Sequence, residues 1–290
     1  MALLVPGCAL LALVFAYPIA RAVLLSFTDY NLLEPERGVR FVGLLNYGWL
    51  WDYELFWTSL RNTAVLTGLT VVLELVIGMA VALLLVETFR GIGIFRGVFI
   101  LPWAIPTVVV AFLFRAYLSP RFGLLNVSLS TVQQSLGISQ SNVVFDWLGS
   151  TSTALIFVAL VVVWKGLPFV VLTLLAGLQS IPRELGEAAR IDGASAWQEF
   201  VYVTLPNLTL VIQLIVVLKV ISTFNGFEMV WLLTAGGPQN STRVLAVEVF
   251  NRAFVTHQIG RAATITVIML LFLGAMIYWF MTLRRQESAA

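Results

Sequence analysis

Six apolar stretches, near residues 2–27, 60–86, 94–118, 152–178, 208–233 and 262–283, constrain this chain more than anything else in it. Each is long enough to cross about 30 Å of hydrocarbon at about 1.5 Å per residue. Lipid offers no partner to a free peptide N–H or C=O, so such stretches must be helices that satisfy their own backbone. A β-barrel would show alternating segments of about ten residues instead, and none is present. Only 11% of the 290 residues are charged, against about 25% in a soluble domain. The formal net charge of +2 is too small to suggest nucleic acid as a partner. The expected fold is an all-α integral membrane protein, one domain over residues 1–290 with six transmembrane helices.

Apolar residues begin at Ala2 with no basic region before them, unlike a typical signal peptide, and a short cytoplasmic leader is expected ahead of that point. Val5-Pro6-Gly7-Cys8 has the outline of a lipoprotein cleavage site but lacks the basic and apolar lead, so Cys8 is expected as a buried thiol in a helix. It is the only cysteine, which leaves no internal disulfide and no thiolate metal site. The span at 94–118 is the weakest, interrupted by Pro102 and Pro106 with Arg115 near its end. Prolines at such positions kink a helix and free carbonyls, or simply set bundle geometry. Trp49, Trp51 and Trp57 read as an interfacial aromatic belt. The polar, Ser/Gln-rich loop 119–151 is expected to be exposed and modestly structured.

Between the fourth and fifth spans, residues 187–206 read EAARIDGASAWQEFVYVTLP. Pro182 suits the first turn of a helix, where its missing N–H costs nothing. Arg183 to Ile191 reads as a short helix with Leu185, Ala188 and Ala189 on one face and Glu184, Glu187 and Arg190 on another. Asp192-Gly193 breaks it, because glycine accepts a turn that other residues resist. Ala194 to Val203 reads as a second short helix, and Pro206 as the start of the next span. The spacing Glu187-Ala188-Ala189, three residues, Gly193, nine residues, then Val203-Thr204-Leu205-Pro206 resembles the EAA loop of ABC-importer permeases, with Val203 where isoleucine is usual. The likeness extends along the chain: residues 224–238, FNGFEMVWLLTAGGP, are similar to a signature of one permease subunit type in sugar importers of the maltose and glycerol-phosphate kind. Tyr17-Pro18-Ile19, Leu101-Pro102, Gly123-Leu124-Leu125-Asn126, Trp164-Lys165 with Pro168-Phe169, and LAGLQSIP at 175–182 fit the same group.

This resemblance implies a type I ABC-importer permease in a prokaryotic inner membrane, with loop 182–206 as a cytoplasmic coupling element. Glu187, Ala188, Ala189, Asp192, Gly193, Leu205 and Pro206 would dock into the ATPase. The implied assembly has a second permease chain of a different kind, two ATPase copies and an extracytoplasmic binding protein. The implied cargo is a mono- to oligosaccharide, with glycerol-3-phosphate or another polyol as the alternative. ATP and Mg²⁺ would be bound by the ATPase, so this chain needs no cofactor. The amino terminus is placed inside because the loop must meet a cytosolic ATPase. Charge counting does not decide it, since Arg90, Arg96, Arg183, Arg190, Arg284 and Arg285 on that side face Arg37, Arg40, Arg121, Arg243 and Arg252 on the other.

Several residues stand out on their own chemistry. Glu74, Lys165 and Lys219 each lie roughly midway through a span, where a charge is costly and usually paired or facing water. Glu74 is expected to pair with Lys165 or Lys219. Asn225, Glu228 and Trp231 are spaced to share a helix face. With Phe224, Phe227 and Lys219 they are the candidate translocation path, the other reading being helix packing and interfacial anchoring. Sugar recognition combines amides and carboxylates for hydroxyls with aromatic faces for C–H surfaces. A phosphate ester would suit a positive cavity, which Lys219 or Lys165 could supply. Thr264 and Thr266 are weaker candidates for the cavity wall, since hydroxyls in spans often bond only the backbone. No phosphate-binding loop surrounds either lysine, and the single histidine, His257, allows no two-histidine metal motif. The chain is therefore expected to be non-catalytic. An ion-coupled secondary transporter using Glu74 as a relay is the competing class, opposed by the missing inverted repeat.

Overall fold

In the computed structural model, residues 5–86, 92–138 and 144–287 are described. The helices in chain order are α1 (Val5–Ser26), α2 (Leu45–Asp52), α3 (Glu54–Val86), α4 (Ile92–Ala104), α5 (Thr107–Tyr117), α6 (Leu124–Ser135), α7 (Ala154–Gln179), α8 (Arg183–Ile191), α9 (Ala196–Phe224), α10 (Glu228–Thr234), α11 (Leu245–Phe250) and α12 (Ile259–Glu287). Among the described residues five helices are long and apolar enough to cross a membrane, six when the bent pair α4–α5 is counted as one span. Residues 2–4, Arg90, and the side chains of Cys8, Arg96, Arg284 and Arg285 lie outside what is described.

The third expected span is not one helix. α4 and α5 meet at 94°. Pro106 supplies no N–H to the turn before it, disfavours helical backbone at Ile105, and itself sits extended at ψ 139°. The fifth span also departs from its expected limits. α9 begins at Ala196, well before 208, and passes through a π-helical turn, Phe200–Thr204, with no break at Pro206. The wider turn gives the proline ring room against the preceding carbonyls. α9 then stops at Phe224, because the Asn225 side-chain amide donates to the Ile221 carbonyl at 2.9 Å and caps the end. Gly226 follows, where a Cβ would lie 2.8 Å from the Thr223 carbonyl oxygen. Asn225 therefore caps the end of α9 while Glu228 and Trp231 stand on α10, and the expected shared face does not form.

The chain divides into two compact units, Asn62–Thr242 and the remainder, Met1–Arg61 with Arg243–Ala290. In the first, the cluster Ala82, Val170, Val171, Leu174, Leu208 and Ile215 joins α3, α7 and α9. Gly177 lets α9 close in, since a Cβ there would lie 2.8 Å from Leu208. The loop at 119–151, expected to be modestly structured, contains α6 and a buried centre at Asn126. The Asn126 amide donates to the Phe145 and Pro120 carbonyls at 2.9 and 3.2 Å and accepts from the Trp147 indole at 2.8 Å. Asn126→Leu keeps the branched shape and leaves three polar groups without this partner. Each unmet buried group costs about 1–3 kcal/mol, so the 120–147 segment is expected to be cleaved much faster in limited proteolysis, with the spans unaffected.

In the other unit α12 packs along α1 and α2. Thr264, fully buried, donates to the Ser26 and Gly260 carbonyls, and Thr266 to that of Ala262. Both hydroxyls are spent on backbone, so neither is placed as a cavity group. Trp49 stacks on Tyr53 and lies under the guanidinium groups of Arg252 and Arg261, at 5.1 and 4.5 Å from the ring centre. This ring is thus a cation platform as well as an apolar surface. His257 is half-buried with positive φ, and its carbonyl accepts from the Leu32 N–H.

Candidate functional site: a coupling loop and a midspan cavity

The loop after α7 is locked by local chemistry. Asp192 ends α8, and the Gly193 and Ala194 N–H groups return to the Arg190 and Ala189 carbonyls at 3.1 and 2.9 Å, a Schellman turn. Gly193 has φ +85°, a conformation that a Cβ opposes. Ser195 and Gln198 then cap α9 reciprocally, side chain to backbone in both directions. A two-pronged ion pair closes the angle: Arg190 Nε and Nη2 donate to Glu199 Oε2 and Oε1 at 2.9 and 3.0 Å. The hydrogen bond and charge of Glu199 raise the Arg190 guanidinium further above its ordinary value. Gly186 makes room for this pair, because a Cβ there would lie 2.7 Å from Glu199 Oε1.

Glu187, Ala188, Asp192, Gly193, Leu205 and Pro206 are exposed, and Ala189 is half-buried. Beside them Ile191, Trp197 and Tyr202 are 85%, 71% and 76% exposed. A short, internally clamped element carrying apolar side chains outward has the form of a rigid plug. The Gly186 and Glu199 contributions were missed from sequence. The charge of Glu199 and its nine-residue separation from Arg190 signal a bridge only once the intervening turn is known.

The second feature is a cavity of about 560 Å³ whose wall includes Trp103, Lys165, Phe169, Lys219 and Ser222. Beside it, Glu74 is completely buried, and Lys219 Nζ stands 2.9 Å from its Oε1. Gly166 on α7 lets the pair cross, since a Cβ there would lie 2.1 Å from the carboxylate and 2.5 Å from the ammonium. Of the two expected partners Glu74 therefore takes Lys219. Lys165 points elsewhere and donates to the Ile105 carbonyl at 2.7 Å.

Of the candidate path residues, Lys219 is on the cavity wall, joined there by Gly226, while Asn225 and Glu228 are not. Phe224 is buried, Asn225 is exposed and engaged as a cap, and Glu228 is exposed at the start of α10. Phe227 and Trp231 stack on each other at 5.6 Å. Trp103, Phe169 and Ser222 were not singled out as cavity residues from sequence. Their signal lies in position relative to the α4–α5 bend, which hydropathy does not show.

Residues 74–286 match the family described as binding-protein-dependent transport system inner membrane component. The chain is 36% identical over 239 residues to the trehalose/maltose transport system permease protein MalF of Thermococcus litoralis, covering 82% of this chain and 78% of that one. It is 32% identical over 289 residues to the diacetylchitobiose uptake system permease protein DasB of Streptomyces coelicolor, covering 99% and 87%. In fold it is similar to a chain of a bacterial ABC transporter that imports the acidic polysaccharide alginate, with a TM-score of 0.82 at 21% identity over 98% of this chain and 94% of that one. With its apolar spans, its clamped loop and a match that covers the loop and most of the cavity wall, the chain belongs to the inner-membrane components of binding-protein-dependent transport systems.

Proposed function

We propose that this chain forms one half of the path by which a sugar enters the cell, and that the α8–α9 loop couples that path to a separate ATPase. The carrying observation is the loop itself: a Schellman turn, a capping box and a two-pronged ion pair hold two short helices at one angle, with Ile191, Trp197 and Tyr202 turned outward. A force applied to such an element moves it as one piece into α7 and α9. The saccharide reading is supported by relatives named for trehalose/maltose, diacetylchitobiose and sulfoquinovosyl glycerol. It is also supported by a cavity that combines Trp103 and Phe169 with hydroxyl and ammonium groups. The chain's own part is non-catalytic: ATP and Mg²⁺ belong to the ATPase, and a different permease chain and a binding protein complete the assembly. Pairing of Glu74 with Lys219 weighs against a free carboxylate relay of the ion-coupled kind.

Affinity purification from the native membrane is expected to recover a second permease and an ATPase with ATP turnover. A chain that purifies alone under mild detergent, without ATPase, would refute the reading. Gly193→Val forces a β-branched residue to φ +85°, a cost of about 1–2 kcal/mol. Assembly is expected to persist, and coupled uptake to fall roughly tenfold or more, at one decade per about 1.4 kcal/mol. Unchanged uptake would show that the turn geometry does not matter to coupling.

A further inference from the structure

The break between α4 and α5 is held by a side chain from a third helix. If the helix continued through Pro106, the Ile105 carbonyl would receive the N–H of residue 109. The 94° bend removes that partner. Lys165 on α7 reaches across sixty residues of sequence to supply the missing proton at 2.7 Å. Among the described residues no carboxylate lies within ion-pair distance of Lys165. A midspan ammonium left bare is costly, and so is a bare carbonyl. The two cancel only while the bend keeps its angle. One residue further along α7, Gly166 admits the Glu74–Lys219 pair, so adjacent positions of α7 hold α4–α5 on one side and tie α3 to α9 on the other. Trp103, two residues before Ile105, stands on the cavity wall, and its position follows the angle of the break.

We propose that Lys165 is a positioning residue: its ammonium pins the Ile105–Pro106 break, fixes the angle between α4 and α5, and thereby sets where Trp103 stands in the cavity. The hydrogen bond it makes goes to the backbone rather than to cargo. The angle of the broken span does not depend on which molecule is carried.

The test uses the whole assembled transporter in lipid, with Cys8 replaced by serine and nitroxides at Val98 on α4 and Phe112 on α5, both exposed. Pulsed electron–electron spin resonance reads the distance across the break. Lys165→Met is expected to broaden the distribution and shift its mean by several ångström. Lys165→Arg, which keeps a charged donor of sufficient reach, is expected to restore it. A role in filling space alone would leave Met, close in volume to lysine, indistinguishable from wild type. An unchanged distribution in Lys165→Met overturns the proposal, as does an arginine variant displaced as far as the methionine one. If Lys165→Met does not assemble, Lys165→Gln, whose amide is too short to reach the carbonyl, is read against the same two outcomes.

Discussion

Glu74→Leu is expected to lower the heat resistance of the assembled protein sharply, whereas Glu74→Leu with Lys219→Leu is expected to recover most of it. Glu74 is 0% exposed and the Lys219 side chain 12%. Neither carboxylate oxygen meets hydrogen-bond angles with a described partner, so the contact is an ion pair held by charge at close range. Removing one member leaves a buried, uncompensated charge, a loss of about 3–5 kcal/mol. Removing both removes the desolvation cost as well, and buried pairs replaced by apolar residues of similar volume are often neutral to stabilising. The measurement is the fraction of monodisperse protein surviving a heating series, for wild type, both single variants and the double variant. The coupling of the cycle isolates the pair. Additive single effects would mean that the two groups do not depend on each other. If the stable double variant also transports normally, the pair is structural and Lys219 does not meet cargo.

The second large effect is expected at Glu248. Its side chain is 1% exposed and serves three partners: the Tyr53 hydroxyl and Arg252 Nε donate to Oε1 at 2.8 and 2.9 Å, and Arg243 Nη1 donates to Oε2 at 3.3 Å. Burial first, and then Glu248 working against Arg252, raises the Tyr53 hydroxyl above its ordinary value, so it stays a donor throughout the physiological range. Glu248→Ala takes the shared carboxylate from both arginines, with Arg252 still donating to Gln258 Oε1 at 2.7 Å and lying over the Tyr53 ring at 4.4 Å. A loss of about 3–5 kcal/mol is expected in the unit that contains α1, α2 and α12, read as rapid tryptic cleavage after Arg243 and Arg252. Glu248→Gln keeps the volume and an acceptor oxygen but not the charge, and is expected to lie between. Wild-type cleavage rates in the alanine variant would refute this account of the cluster.

Much of the α8–α9 loop was legible because its determinants are local. Pro182 before α8 and the Asp192-Gly193 stop lie within a few positions of what they control. The sequence reading failed where local signals pointed both ways. Asn225 continues an apolar helix by hydropathy, yet its amide is also a cap donor, and with Gly226 behind it the cap won. Pro206 looks like a helix start, yet the π turn ahead of it absorbs the ring and the helix runs through. The serines and glutamines around 119–151 look like loop, yet Leu124–Ser135 is a helix because Asn126 has buried partners twenty residues away.

From the sequence alone came the apolar spans, the place of the α8–α9 loop between two of them, and the three midspan charges. Hydropathy and backbone satisfaction act residue by residue, and lipid leaves the chain no alternative to helix. Only the tertiary structure decided which lysine meets Glu74, that Lys165 turns to the Ile105 carbonyl, and that Trp103 and Phe169 rather than Asn225 and Glu228 reach the cavity. Those choices depend on how α3, α7 and α9 approach one another. That approach is set by glycines such as Gly166 and Gly177, whose meaning is the side chain lying across them. A glycine in a sequence marks where something can come close, and the fold supplies what does.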